Sequence, residues 1–412
     1  MRVLLCHNYY QQAGGEDQVF ADEGQLLESR GNEVLRYSLH NNVIDHMGGL
    51  EVALRTVWNR TTYRELLNLM RREKPDVIHF SNTFPLISPA AYYAAREAGV
   101  PVVQTLHNYR LMCPDAGFYR DGAPCEDCLK RIVPWPAVLH GCYRSSRSAS
   151  GVVATMTLVH KLLGTWQRCV DRYITLSRFS AEKFVAGGLP TGKIVVKPNF
   201  IWTDPGTGAG LGNYAVSVGR LAKEKGIANL LDAWERIGTK VPLKIIGVGP
   251  MQEEIEKRAA GLPGVEWLGR KKLDEVMRIV GDAACLVQPS GLYENCPKTL
   301  LEAFAVGTPV VASRLGALEE MVSDGVNGLG FSPRDPDDLA EKVCRIADDP
   351  KFRAELRTGA RQSYESLYTA DRNYELLMSI YASVCEPGAV AYSTDVVEAS
   401  EAVAAPPMAD VS

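Results

Sequence analysis

One pattern is written twice along this chain. Short, uninterrupted apolar runs alternate with stretches of helical period, first over 3–196 and again from 214 onward. An apolar run without polar alternation is a strand covered on both faces, and strands separated by helices build a parallel sheet. In the first half the pattern predicts strands at 3–6, 33–37, 76–80, 102–106, 172–176 and 194–196. Helices are predicted at 16–30, closed by Gly31, and at 89–98. In the second half strands fall at 214–218, 243–246, 265–268, 284–287 and 309–311. Helices there fall at 226–237, 252–260, 273–280, 298–306 and 336–347, and a last amphipathic helix occupies 370–385. Between the halves Pro198, Pro205, Gly206, Gly208, Gly210 and Gly212 mark a linker.

The expected class is therefore α/β: two doubly wound, Rossmann-like domains facing each other across a cleft. Ligands of such sheets bind outside the C-terminal ends of the strands. The first domain is placed at 1–198 with a cysteine-rich insertion at 107–150. A linker follows at 199–213, then the second domain at 214–369, a helix at 370–386 and a tail at 387–412. The tail carries Asp395, Glu398, Glu401 and Asp410 with no Lys or Arg, and its Ala, Val, Ser and Pro content reads as disordered.

Composition narrows the function. Of 412 residues, 46% are hydrophobic and 23% charged, which excludes a collagen, a coiled coil or a largely disordered chain. No apolar run reaches the ~18–20 residues of a spanning helix. The N-terminal Met1–Cys6 run turns polar at once, as a strand does and a secretory signal does not. A net charge of −4 argues against nucleic acid as partner. A cytoplasmic, reducing compartment is expected from the absence of an export signal.

Three groups carry chemistry. In the segment from Val218 to Gly226 a strand ends, glycine turns the chain, and Arg220 and Lys225 follow before a helix. Two cations at a strand C-terminus suit an anionic ligand, Arg as a bidentate fork and Lys as a point charge. A solvated surface loop would read the same way. In the second group Glu294 and Glu302 are separated by seven residues, with Asn295 and Pro297 between them and a helix starting after Pro297. The first-turn amides of Lys298, Thr299 and Leu300 are expected to face a phosphate, and the two carboxylates to bind different hydroxyls. Third, Gly247 and Gly249 end a strand and are expected to let a ligand approach the backbone.

Taken together these residues resemble the retaining glycosyltransferases of family 4, which have the two-domain GT-B fold. The stretch from Glu294 through Glu302 to Ser313 matches the family's signature, and Arg220 with Lys225-Gly226 its second hallmark. The resemblance implies that Arg220 and Lys225 bind the diphosphate of a sugar nucleotide, UDP- or GDP-linked. Glu294 would bind donor-sugar hydroxyls and Glu302 the ribose. The backbone near Thr299 and Leu300 would touch phosphate, and Gly247 and Gly249 would flank the nucleotide. Gly14 and Gly15 match the glycine-rich first loop, and His107 the histidine against the donor sugar; read by itself, His107 is equally a structural residue at a strand end. The acceptor implied is a glycan, lipid-linked or polysaccharide chain, as in cell-envelope polysaccharide biosynthesis, and the last helix would return to the first domain. No metal is expected for catalysis, because Asp335-Pro336-Asp337 reads as a helix N-cap followed by proline.

Two features stand outside that core. Cys113, Cys125, Cys128 and Cys142 fall at spacings that suit a structural zinc; a redox pair or plain buried thiols are the rivals. The stretch 144–172 holds Arg144, Arg147, Lys161, Arg168 and Arg172 with Leu162, Leu163 and Trp166, which suits either peripheral contact with the inner face of the cytoplasmic membrane or a helix packed on its own domain. Rival functions on the same fold are a sugar-nucleotide epimerase and a non-catalytic nucleotide-sugar-binding scaffold. Asn295-Cys296-Pro297 departs from the family's usual residues and leaves the donor sugar open.

Overall fold

The computed structural model describes residues 1–12 and 14–386; the tail expected at 387–412 lies outside the described residues. The chain divides into two compact units. The first comprises Met1–Phe118, Cys125–Pro198 and the chain from Asn373; the second comprises Tyr119–Pro124 and Asn199–Arg372.

Over residues 1–198 the strands are β1 (Arg2–Tyr9), β2 (Glu33–His40), β3 (Val77–Asn82), β4 (Val102–Thr105), β5 (Tyr119–Arg120), β6 (Ala123–Pro124), β7 (Arg172–Thr175) and β8 (Ile194–Val196). The helices are α1 (Gly15–Ser29), α2 (Gly49–Val57), α3 (Arg60–Glu73), α4 (Ala90–Ala98), α5 (Trp135–His140), α6 (Arg147–Leu162), α7 (Thr165–Arg168) and α8 (Arg178–Ala186). The sheet runs β2-β1-β3-β4-β7-β8, parallel throughout; the β5-β6 hairpin is separate and groups with the second unit. β3 and β4 are buried along their whole length, and their polar residues are paired inside, His79 with Thr105 at 2.7 Å. β1 outruns its predicted span because it pairs with β2 in register from Arg2 to Tyr9.

The second unit contains β9 (Ala215–Val218), β10 (Leu243–Ile246), β11 (Val265–Gly269), β12 (Cys285–Gln288), β13 (Val310–Ser313) and β14 (Gly328–Phe331). Its helices are α9 (Ile227–Ile237), α10 (Gln252–Ala260), α11 (Leu273–Asp282), α12 (Lys298–Ala305), α13 (Ala317–Met321), α14 (Pro336–Asp348) and α15 (Pro350–Leu367). The strand order is β11-β10-β9-β12-β13-β14, again all parallel. β14, α13 and α15 were not expected. β14 is glycine-rich, with Gly330 passing against the Arg314 side chain. The last helix, α16 (Ala370–Cys385), lays Leu377, Ile380 and Tyr381 into the core of the first unit with Val3, Leu5, Phe20 and Val103.

The segment expected as a linker is not loose. Phe200 is fully buried and Ile201 N–H donates to Tyr368 O at 3.0 Å. Gly208 and Gly210 N–H bond to Val306 O and Gly281 O, and a Cβ on Gly208 would stand 2.4 Å from Gly281 Cα. Glycines here serve close backbone packing within the second unit rather than flexibility. Asp335 caps α14 as its sequence predicts, its carboxylate accepting from the N–H groups of Asp337 and Asp338 at 3.0 Å.

Candidate active site

In each sheet the chain starts at an inner strand, fills one side, then the other. In the second unit this reversal lies between β9 and β12, which are hydrogen-bonded neighbours. The loops leaving their C-terminal ends diverge to opposite faces and open the crevice where such sheets hold ligands. Lys225 comes from the first loop and Glu294 from the second. Lys225 Nζ donates to Glu294 Oε1 at 2.6 Å.

Gly226 explains why these loops meet. Its φ is +71°, and a Cβ would fall 1.9 Å from Pro289 O, so only glycine lets the two backbones touch. Ser290 Oγ donates to the same Glu294 oxygen at 2.7 Å, and Gln288 Nε2 approaches it at 3.4 Å. Gln288 Oε1 in turn lies 3.5 Å from Thr299 Oγ1. Burial pushes the Glu294 carboxyl up, but the Lys225 charge and these hydrogen bonds outweigh it and hold the pKa below the ordinary carboxylate value. Glu294 is therefore ionised. Arg220 is half exposed and pairs with Glu224, four residues on. Glu224, Gln288 and Ser290 had not been singled out in the sequence; the Ser290–Glu294 spacing within one loop was the available signal.

Gly247 (φ +138°) and Gly249 are half-exposed, and their Cα faces pack on a neighbouring loop. A Cβ on Gly247 would lie 1.9 Å from Gly219 O, and one on Gly249 2.4 Å from Leu221 O, so these glycines lock the loop after β10 against the loop after β9. The Leu300 amide is already engaged, donating to Pro297 O at 3.1 Å. Glu302 lies half-buried on α12, and Asn295 is half-buried beside Cys296, whose carbonyl accepts from Asn199 Nδ2 at 2.8 Å.

In the first unit the reversal lies between β1 and β3. His107 follows β4 one strand over. It shares a hydrogen bond with Ser81 Oγ at 3.1 Å, and burial pushes its pKa down to about 3. A neutral imidazole results, which orients a partner but is a weak base. Gly14 and Gly15 open α1 with nothing within 4 Å of an added Cβ, and Gly14 has φ −134°, which any residue adopts. Neither position is crowded, so no steric contact requires glycine at either.

Below that loop lies a network that the sequence hid. Asp17 Oδ1 binds His7 Nε2 at 2.7 Å while its Oδ2 accepts from Gly14 N–H at 2.9 Å. Burial and the Asp17 charge raise Glu16 to a pKa of about 8; Asn108, Arg110 and Tyr10 pull it down and lose. Deeper, Lys197 Nζ and Glu23 Oε1 form a buried ion pair at 2.6 Å, and His79 joins Tyr381 of α16 to Thr105. Glu16 directly follows Gly14-Gly15, which was the available signal for it.

The zinc expectation is not met by the geometry. Cys113, Cys125 and Cys142 all act on Cys128, whose pKa burial raises to about 11, so the four thiols are neighbours. Yet among the described residues no three His, Cys, Asp or Glu are arranged to hold a metal ion. Of the stretch 144–172, Trp166 is 2% exposed and belongs to the core, whereas Leu162 and Leu163 remain exposed. No helix among the described residues is long and apolar enough to cross a membrane.

Paired parallel sheets with these loops define a GT-B protein, and solved structures agree on the fold. Anabaena HepE, described in complex with UDP-glucose, superposes with a TM-score of 0.66 at 17% identity, covering 93% of this chain and all of that one. Sucrose-phosphate synthase from Thermosynechococcus elongatus gives 0.66 at 16% identity, covering 93% and 99%. Two family models account for most of the sequence: a glycosyl transferase 4-like domain over 3–199 and glycosyl transferases group 1 over 209–363. The chain belongs to the group 1 glycosyl transferases.

An uncharacterized glycosyltransferase of Methanocaldococcus jannaschii is 34% identical over 36% of this chain and 42% of its own. Arabidopsis thaliana sulfoquinovosyl transferase SQD2 is 23% identical over 83% of this chain and 65% of its own. The 2-deoxystreptamine glucosyltransferase of Streptomyces kanamyceticus is 28% identical over 75% and 78%. The match thus spans about two-fifths of the first of these relatives and about two-thirds of the second.

Proposed function

We propose that this protein transfers a sugar from a nucleotide-sugar donor to a glycan, lipid-linked or polysaccharide acceptor, with retention of configuration. The observation that carries the reading is the Lys225–Glu294 pair at the strand reversal of the second unit. Cleavage of the sugar–phosphate bond creates an oxocarbenium-like sugar and a departing diphosphate. Lys225 and Arg220 supply fixed positive charge for that leaving group without calling on a metal. Their present partners, Glu294 and Glu224, hold both cations in place until phosphate competes for them. Glu294, ionised and anchored by Ser290, is an acceptor for sugar hydroxyls. Glu302 on α12 is assigned to the ribose, with Asn295 and Thr299 beside it.

In the first unit, Gly14 and Gly15 give open space for donor phosphate and acceptor, and neutral His107 orients the sugar rather than removing its proton. Since HepE is described with UDP-glucose, UDP-sugars are the first donors to test, GDP-sugars the second. Exposed Leu162 and Leu163 beside Lys161 and Arg168 suit shallow contact with the cytoplasmic leaflet that carries a lipid-linked acceptor.

The test is nucleotide release from a panel of sugar nucleotides, with and without glycan acceptors. One donor is expected to raise the melting temperature and to be turned over, and Lys225→Ala and Glu294→Ala to weaken both effects strongly. A panel in which no donor binds, or in which the donor is only epimerised, overturns the reading.

A further inference from the structure

A cavity of about 50 Å³ lies in the first unit beside His107, at the C-terminal ends of β3 and β4. A water centre needs only ~10–15 Å³, so there is room for several waters or one small group. Its wall includes Ser81, Gln104, His107, Arg110 and Trp166. Arg110 is the one formal charge among the lining residues, since burial keeps His107 neutral; no carboxylate lines the space.

Two side-chain acceptors of this wall are already in use: Gln104 Oε1 takes the Tyr92 hydroxyl at 2.7 Å, and Asn82 Oδ1 takes the Phe84 N–H at 2.9 Å. Two donors are left over. Trp166 is 2% exposed, and its indole N–H is buried with no hydrogen-bond partner. The Arg110 Nε–H is buried and equally unmatched, although its Nη1 donates to Pro114 O at 2.8 Å. The guanidinium is held over the rings of Phe84 (4.1 Å) and Tyr143 (5.0 Å), contacts that position the cation without using its donors. Buried donors without acceptors are costly and rare in folded proteins, and two residues that carry them line this one cavity, which points to an absent acceptor.

We propose that this cavity is an oxyanion subsite, in which Trp166 Nε1–H and Arg110 bind a carboxylate or phosphate group. That the group is carried by the sugar acceptor rests on the glycosyltransferase reading; the anion site itself does not. Arg110 supplies the charge and the in-plane donor, and the indole a second, fixed donor.

The experiment reads the site directly. Trp166 gives one of six tryptophan indole N–H resonances, and Trp166→Phe identifies it while keeping an aromatic ring in the core. Titration of the full-length protein with inorganic phosphate, and separately with glucuronate, is expected to move that resonance saturably, whichever anion binds better naming the group. Arg110→Gln is expected to weaken the effect roughly 10-fold, the worth of one charged hydrogen bond, and Arg110→Lys to restore part of it. Phosphate held by Lys225 and Arg220 would leave the Trp166 signal in place, so failure of the donor-site reading is seen separately. A Trp166 resonance unmoved by either anion, or moved equally in Arg110→Gln, means a water-filled cavity and overturns the proposal.

Discussion

Lys225 and Glu294, 69 positions apart in sequence, share a 2.6 Å ion pair because the loops that carry them leave neighbouring strands on either side of a strand reversal. Glu294 is nearly buried and Lys225 about one-quarter exposed, so the pair is held by the protein and yet open to a ligand on its lysine side. A diphosphate that takes Lys225 would leave Glu294 free to accept from sugar hydroxyls, which couples the two ends of one donor.

Removing the lysine tests that coupling. Lys225→Ala leaves a buried carboxylate without its counter-charge and is expected to cost about 2–3 kcal/mol of stability at neutral pH. The Glu294 pKa is depressed in the fold, so its stabilising share is present above the unfolded value of 4.5 and lost as pH falls through the folded one. The gap between wild type and variant should therefore close below pH ~4.5, as thermal denaturation at a series of pH values will show. Donor affinity should fall about 10–100-fold.

Glu16 titrates in the opposite sense. Its pKa of about 8 lies above the unfolded 4.5, so the folded state holds the extra proton between these values. Its contribution is full below pH 4.5 and is lost as pH rises through 8. Glu16→Gln should flatten the stability profile over that window, gaining about 2 kcal/mol on wild type at its alkaline end. Parallel urea melts at pH 5 and pH 9 check this; equal slopes for both proteins would refute the assignment.

The Lys197–Glu23 pair anchors α1 under the sheet, fully inside the first unit. Lys197→Ala should destabilise by about 3–5 kcal/mol, whereas Lys197→Met combined with Glu23→Leu should cost much less, because no charge is stranded. Equilibrium denaturation of both variants makes the comparison.

Two glycines should separate folding from function. Gly226→Ala places a Cβ against Pro289 O at a positive φ and is expected to cost more than about 3 kcal/mol. Gly14→Ala meets no atom within 4 Å at an ordinary φ, so stability should stay within about 0.5 kcal/mol. If the loop closes on donor phosphate, turnover of Gly14→Ala falls although its melting temperature does not; an unchanged kcat/KM would remove Gly14 from the site.

Much of this molecule was legible in the order of its residues. The buried parallel strands β3, β4, β12 and β13 announce themselves by short apolar cores, Val77-Ile78, Val102-Val103, Leu286-Val287 and Val310-Val311, since a strand covered on both faces does not alternate polar and apolar positions. The N-cap at Asp335 and the helix starting after Pro297 were equally plain, because caps are local chemistry. So was the spacing of Glu294 and Glu302. Helices α2, α3, α5, α8, α13 and α15 were among those missed; α5 and α13, at six and five residues, are too short to show a helical period.

What sequence could not supply is pairing across distance. It named Lys225 and Glu294 without showing that they touch, and Gly247 without showing the seam between two loops that it makes. It gave no sign that Glu16 would be protonated, that His107 would be neutral, or that Trp166 and Arg110 would share a cavity with unmatched donors. Local propensity and periodicity act over a few residues and are carried by the chain itself. Protonation, strand neighbours and the contents of a cavity depend on which distant groups the fold packs together and on how much water it leaves between them.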